Sequence, residues 1–280
     1  QEHKISIVHA HSSSYFITTL IKLMNPKLRL IWHDHFGNRL NFSKKEIFPL
    51  RFCSNYFSAV IGVNKKLKDW SDKNLKTKQV YYIPNFASLS DSKNKTSLKG
   101  NEGKRIVCLA GFRPQKDHIN LLKAFIIISK KHPDWTLHLV GNHNSDIYFN
   151  DVKTCIQFNN LNNSVFLYHQ ATDVKNILSQ SDIGVLSSKS EGLPVSLLEY
   201  GLAKLPVVIT DVGECANVVS NGKYGFVVPR EEEKILAQKM EELVLNENSR
   251  KDLGDNFCNH INENYSEQKI IHKLLKIYIP

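Results

Sequence analysis

Short apolar runs recur along this chain, and stretches with helical periodicity lie between them. Ile5–His9, Leu28–His33, Ala59–Val63 and Val80–Ile83 read as strands in the first third, with Tyr15–Met24 and Glu46–Phe57 as helices. Farther on, Ile106–Ala110, Thr136–Val140, Val165–Tyr168, Ile183–Leu186 and Val207–Thr210 read as strands. Helices are expected from Asp117 or His118 to Lys131, over Glu231–Leu245 and over Gln268–Ile277. Parallel neighbours need a crossover between them, and a helix supplies it, so the alternation predicts parallel α/β sheets. Residues 89–103 break the pattern. They are rich in Ser, Lys, Asn and Gly, carry no apolar period and read as a linker. Two units follow: 1–88 and 104–265. A final helix over 266–280 is a candidate for crossing back to the first unit.

Composition narrows the function classes. Of the 280 residues, 41% are hydrophobic, enough for packed cores. No apolar run approaches the roughly 20 residues of a membrane span; the nearest, Ala124 to Ile128, has Lys123 before it and Lys130 after it. The five cysteines form no CxxC pair, which argues against a disulfide scaffold or zinc module and for a cytoplasmic setting. No Asp/His ligand cluster is evident, so no metal is expected. The net charge of +10 lies wholly within the first hundred residues. A basic surface there suits an anionic membrane or a phosphate-bearing ligand. The stretch Lys44–Phe52 (KKEIFPLRF) mixes bases with Ile47, Phe48, Leu50 and Phe52. It is a candidate membrane-surface element, or else a helix with its apolar face in the core, interrupted by Pro49. Nucleic acid is not an expected partner: no helix-turn-helix pattern or basic–aromatic interleaving is present.

Residues 182–213, DIGVLSSKSEGLPVSLLEYGLAKLPVVITDVG, carry the chemistry. A strand leads into a polar turn, then Glu191-Gly192-Leu193-Pro194, then an apolar helix holding Glu199. A helix beginning near Pro194 would turn its free N–H groups toward an anion. The eight-residue spacing of Glu191 and Glu199, near two helical turns, would let both look toward one site at different depths. A carboxylate in an apolar helix needs a partner when buried, and sugar hydroxyls are suitable donors.

This segment resembles glycosyltransferase family 4, whose E-x7-E motif Glu191 and Glu199 match. AGFRPQKDHINLLKAF (110–125), TLHLVG (136–141), VFLYHQATDVKNILSQSDIGVLSS (165–188) and NGKYGFVV (221–228) follow in family order. The likeness is good over 104–280 and looser over 1–86. It implies a GT-B fold: two Rossmann-like parallel-sheet domains with a cleft between them. The implied activity is retaining, metal-independent transfer of a hexose from a nucleotide sugar, without a cofactor. A glycan or lipid-linked acceptor in cell-surface polysaccharide synthesis, on the cytoplasmic face, is implied as well.

The resemblance also assigns residues. Lys116 matches the family lysine that holds the donor diphosphate. The family arginine falls at Gly111, so Arg113 is the candidate replacement. Glu199 corresponds to the ribose-binding carboxylate and Glu191 to the residue near the donor sugar. Gly192 and Leu193 would supply backbone N–H groups, and Gly141 would admit the base. His33 or His35 would face the donor sugar or acceptor; the alternative is a loop histidine satisfied by backbone. The family's first strand and glycine-rich loop have no counterpart, so the N-terminal domain is expected to be incomplete and the chain poorly active alone. The displaced arginine supports a second reading, a degenerate module that binds nucleotide sugar without transfer.

Overall fold

A computed structural model describes residues 5–35, 39, 41–93, 95–143, 146–169 and 171–279. In chain order its elements are β1 (Ile7–His11), α1 (Tyr15–Met24), β2 (Arg29–Asp34), α2 (Lys44–Cys53), β3 (Ala59–Gly62), α3 (Lys65–Asn74) and β4 (Val80–Tyr82). There follow β5 (Arg105–Leu109), α4 (His118–Lys131), β6 (Thr136–Val140), α5 (Asp146–Phe158), β7 (Val165–Tyr168), α6 (Val174–Ser179), β8 (Ile183–Leu186) and α7 (Val195–Leu202). The chain continues with β9 (Val207–Thr210), α8 (Cys215–Val218), β10 (Phe226–Val228), α9 (Glu233–Leu245), α10 (Glu247–Tyr265) and α11 (Glu267–Tyr278). It divides into two compact units. One comprises Gln1–Asn85, Glu191–Leu193 and Glu267–Pro280. The other comprises Phe86–Ser190 and Pro194–Ser266.

The first unit is built on a parallel sheet in the order β1-β2-β3-β4. β1 runs two residues later than its apolar run suggests, through His11, because pairing with β2 extends from Ile7↔Arg29 to His11↔His33. Ala10, Leu30 and Trp32 turn into a core closed by Leu50, Cys53 and Phe57. Alternation along a strand therefore turns His9, His11 and His33 to the opposite face. α2 starts earlier than expected, at Lys44, because Ser43 and Glu46 form a capping box, and it continues through Pro49. Its Leu50 and Cys53 are buried, while Phe48 and Phe52 stay exposed. α11 belongs to this unit. Arg29 donates to the carbonyls of Ile277 and Tyr278 at 3.0 and 2.5 Å, capping its last turn.

The second unit holds six parallel strands in the order β10-β9-β8-β5-β6-β7. Counted from β5, this is the doubly wound dinucleotide-fold order. Its topological switch point lies between β5 and β8, and ligands of such sheets bind beyond the carboxyl ends there. Near-continuous apolar strands suit a sheet covered on both faces. Leu121, Leu122, Phe125 and Ile128 of α4 and Leu236, Met240 and Leu243 of α9 bury completely against them, each side chain contributing about 1.5–3 kcal/mol. The segment read as a linker is coil pinned to this unit: Thr96 N–H and Oγ donate to Asp173, and Leu98 N–H donates to Gln180.

Candidate functional site

β5 ends in a loop that carries Arg113 and Lys116, and β8 ends in the loop of residues 187–190. The two loops are joined. Ser187 Oγ donates to the carbonyls of Lys116 and Asp117 at 3.1 and 3.0 Å, and Lys189 N–H donates to the Gln115 carbonyl at 2.8 Å. Pro114–Lys116 forms one tight turn, and Asp117 then takes a left-handed backbone, φ 48°, to cap α4 through Asn120 N–H. Burial pushes the Asp117 carboxyl up, opposed by Lys189, whose ammonium lies 3.5 Å away and also pairs with Glu231 at 3.0 Å. His118 is buried on Phe112, and burial lowers its pKa to about 4.

The Arg113 guanidinium folds back along its own loop. A Cβ built on Gly111 would lie 3.4 Å from both its Nε and one Nη. An arginine at 113 thus places its charged head where a side chain at 111 would start. Gly141, at the end of β6, sits against the same loop: a Cβ there would come within 2.2 Å of the Ala110 carbonyl oxygen. Phe112 N–H donates to the Asn142 carbonyl at 2.8 Å, so the loops after β5 and β6 run on as partners. Arg113, Lys116, Gly141 and Ser187–Ser190 therefore form one connected rim at the switch point.

Pro194 is extended (ψ 124°) and α7 begins at Val195. Glu199 is thus about one turn inside the helix, not two, and the Glu191–Glu199 spacing is not helical throughout. The Glu199 side chain is partly buried among apolar neighbours, and burial alone raises its pKa. The adjacent Tyr200 is fully buried. Its hydroxyl accepts from Leu109 N–H at 2.6 Å, where β5 has parted from β8. Its ring occupies the space above Gly184, whose absent Cβ would lie 2.8 Å from it. An open groove of about 680 Å³, lined in part by Lys104, Asp134, Asp182 and Arg250, lies at the opposite, amino ends of these strands. The rim residues are not on it.

Glu191, Gly192 and Leu193 group with the first unit. Asn85 Nδ2 donates to the Leu193 carbonyl at 2.8 Å. The Gly192 backbone passes so close to the His35 carbonyl that a Cβ would stand 2.9 Å from its oxygen. Asn85 also hydrogen-bonds His35, so it ties this histidine to the Glu191–Leu193 turn. The His33 ring is buried in β2 and neither ring nitrogen has a partner, so it is not a backbone-satisfied loop histidine. His9, His11, His33 and His35 form a cluster of ring contacts, three stacked and two tilted, with centroids 4.1–5.3 Å apart. Burial, then mutual repulsion, lowers His9 and His35 to about 4 and His33 to about 2; burial also lowers His11. One nitrogen from each of His9, His11 and His33 lies within 4.8 Å of the others. No ligand cluster was evident along the sequence; the parallel register of β1 and β2 brings this group of three together, with His33 lying 22 and 24 residues from His11 and His9. Asn85, Tyr200, His9 and Tyr278 were not singled out by sequence. Only Asn85, after Pro84 at a strand end, carried a local signal.

The family model for glycosyl transferases group 1 matches residues 90–259. An uncharacterized glycosyltransferase of Methanocaldococcus jannaschii is 26% identical over 281 residues, covering 98% of this chain and 75% of that protein. The Escherichia coli UDP-Gal:alpha-D-GlcNAc-diphosphoundecaprenol alpha-1,3-galactosyltransferase is 26% identical over 248 residues, covering 81% of this chain and 63% of the relative. Among solved structures, Staphylococcus aureus TarM, in complex with UDP among other ligands, superposes with a TM-score of 0.79 at 20% identity. It covers 97% of this chain, which spans 55% of TarM. The two parallel sheets are those of the GT-B glycosyltransferase architecture.

Proposed function

This chain belongs to the glycosyl transferases group 1 family, and from that premise we propose that it moves a hexose from a nucleoside diphosphate sugar to a glycan or lipid-linked acceptor, with retention at the anomeric carbon. The observation that carries the reading is the rim at the β5/β8 switch point. There Arg113 and Lys116 share one loop, fused by hydrogen bonds to the loop that leads to Glu199. UDP is the preferred nucleotide, because the name of the E. coli relative specifies a UDP-sugar.

In this reading Glu199 accepts hydrogen bonds from the ribose hydroxyls, which gives its desolvated carboxylate the partners that the apolar helix lacks. Gly141 lets the end of β6 close against the Ala110 carbonyl, which shapes the rim where the base would lie. Arg113 and Lys116 neutralise the diphosphate as negative charge builds on it, a stabilisation that is greatest in the transition state. These two cations stand in for a metal ion. Gly192 and Leu193 N–H groups hold the donor sugar region, and Glu191 and His35, beside the Gly192 turn, orient the sugar and acceptor. The acceptor hydroxyl attacks the anomeric carbon from the face the phosphate leaves. Its proton passes to the departing phosphate oxygen, so no protein nucleophile is required.

No described helix is long and apolar enough to cross a membrane. In this reading a lipid-linked acceptor is met at the bilayer surface. Exposed Phe48 and Phe52, interleaved with Lys44, Lys45 and Arg51, suit an anionic surface.

Titration calorimetry with UDP, GDP and ADP tests the donor site. We expect one nucleotide to bind and Glu199→Ala to weaken it at least tenfold, about 1.4 kcal/mol. Equal binding by wild type and variant would remove Glu199 from the site. Binding without sugar release to any lipid-linked acceptor would favour the binding-module reading.

A further inference from the structure

We propose that the first unit binds one zinc-class divalent cation through His9, His11 and His33. The ligands come from β1 and β2, which pair with His11 directly opposite His33 and turn all three rings to one face. Their nearest nitrogens already lie within 4.8 Å of one another. Tetrahedral zinc with Zn–N of 2.0–2.1 Å sets neighbouring nitrogens about 3.3 Å apart. The difference is within reach of imidazole rotation about its broad terminal torsion, and the His11 ring, exposed at the mouth, is the one that can turn.

The second layer is also in place. Metal-bound histidines nearly always give their other ring N–H to a fixed acceptor. His9 Nδ1 meets the Tyr278 hydroxyl at 2.5 Å, and His11 Nδ1 meets His35 Nε2 at 2.9 Å. Each contact leaves Nε2 as the ligand atom. His9 Nε2 is buried without a partner, as are both nitrogens of His33. A buried polar atom without a partner is costly, and a bound cation satisfies it. Three neutral imidazoles with no carboxylate favour zinc, cobalt, nickel or copper over magnesium, calcium or manganese, which take oxygen ligands. Three ligands leave a fourth position for water or another donor. The bound ion ties β1 to β2 and, through Tyr278, to α11.

The test uses the whole chain without a histidine tag, dialysed against zinc chloride and assayed for bound metal. Cobalt(II) serves as a spectroscopic probe. One zinc per chain is expected, with the visible bands of a low-symmetry cobalt(II) site and no competition from magnesium. His11→Ala and His33→Ala should each weaken zinc at least tenfold, and Tyr278→Phe by less than either. His11→Cys should restore binding. His132→Ala, which removes a histidine of the other unit, should leave it unchanged. The His11 ring is exposed at the mouth, so its variants keep the test decisive if His33→Ala fails to fold. Sub-stoichiometric zinc on the wild type, or folded His11→Ala chain that binds as tightly as wild type, overturns the proposal.

Discussion

Replacing Tyr200 by phenylalanine removes one oxygen from the centre of the second unit and tests how its switch point is held open. β5 and β8 pair only at Ile106↔Ile183 and Val107↔Gly184. Beyond these pairs the Leu109 N–H points toward β8 and finds the Tyr200 hydroxyl at 2.6 Å instead of a strand carbonyl. The ring is fully buried above Gly184, and phenylalanine keeps that packing. The substitution therefore creates almost no cavity. It leaves a buried N–H without an acceptor, at a cost of about 1–3 kcal/mol. Near the middle of that range, a domain of 150–250 residues loses about 4–8 °C in Tm. Urea unfolding followed by circular dichroism reads the change as a lower midpoint at unchanged slope. A loss below about 0.5 kcal/mol, within the range of ordinary surface substitutions, would refute the view that the hydroxyl closes the β5 ladder.

Three further outcomes are expected. Burial raises the Glu199 pKa above its ordinary 4.5, so the protonated form is favoured in the fold; that stability is present below pH 4.5 and is lost as pH rises through the raised value. Glu199→Gln should accordingly raise Tm at pH 7–8, shrink the difference below pH 4.5 and weaken nucleotide binding, as thermal melts across pH with parallel titrations will read. Asp34 and Arg39 form a buried ion pair at 2.7 Å, and Asp34→Ala removes the carboxylate from that pair, so unfolding should register a loss of about 3–5 kcal/mol. Asn85→Ala removes the link between His35 and the Leu193 carbonyl. Transfer assays should show kcat falling while calorimetric affinity for the free nucleotide stays within about twofold, roughly 0.4 kcal/mol.

The strands were legible wherever apolar runs were bounded by turns, and β5, β6, β7, β8 and β9 fall within one residue of those runs. Helices with little apolar content were not. α3 (KKLKDWSDKN) buries only Leu67 and Ser71, so its pattern is polar almost all round. α10 contains Asn, Gly, His and Asp, all weak helix formers. It is held by packing of Phe257 and Ile261 over Gly201 of α7. β10 has only three residues, too few for a period to register. Strand order was equally out of reach, because no local signal states which strands pair. The candidate site divides the same way. Arg113, Lys116, Glu191 and Glu199 lie on a loop or short loop–helix unit and could be read in line. The histidine face depends on register between strands, so it emerges only once β1 and β2 are side by side.

The two glutamates show why in-line spacing was only a partial guide. Eight residues of continuous helix would have fixed Glu191 and Glu199 to one rigid rod. Instead the chain is extended at Pro194, and the two ends of the motif are held by different units. Asn85 and the His35 backbone position the turn at Glu191–Leu193. The Tyr200 hydroxyl, locked onto β5, positions Glu199 through its neighbour on α7. In the proposed reaction these ends have separable duties: Glu199 holds the nucleotide, and Glu191 with its turn addresses the sugar that is transferred. Perturbing the Glu191 anchor should therefore change turnover, and perturbing the Glu199 anchor should change affinity. A motif carried on one rod could not make that distinction.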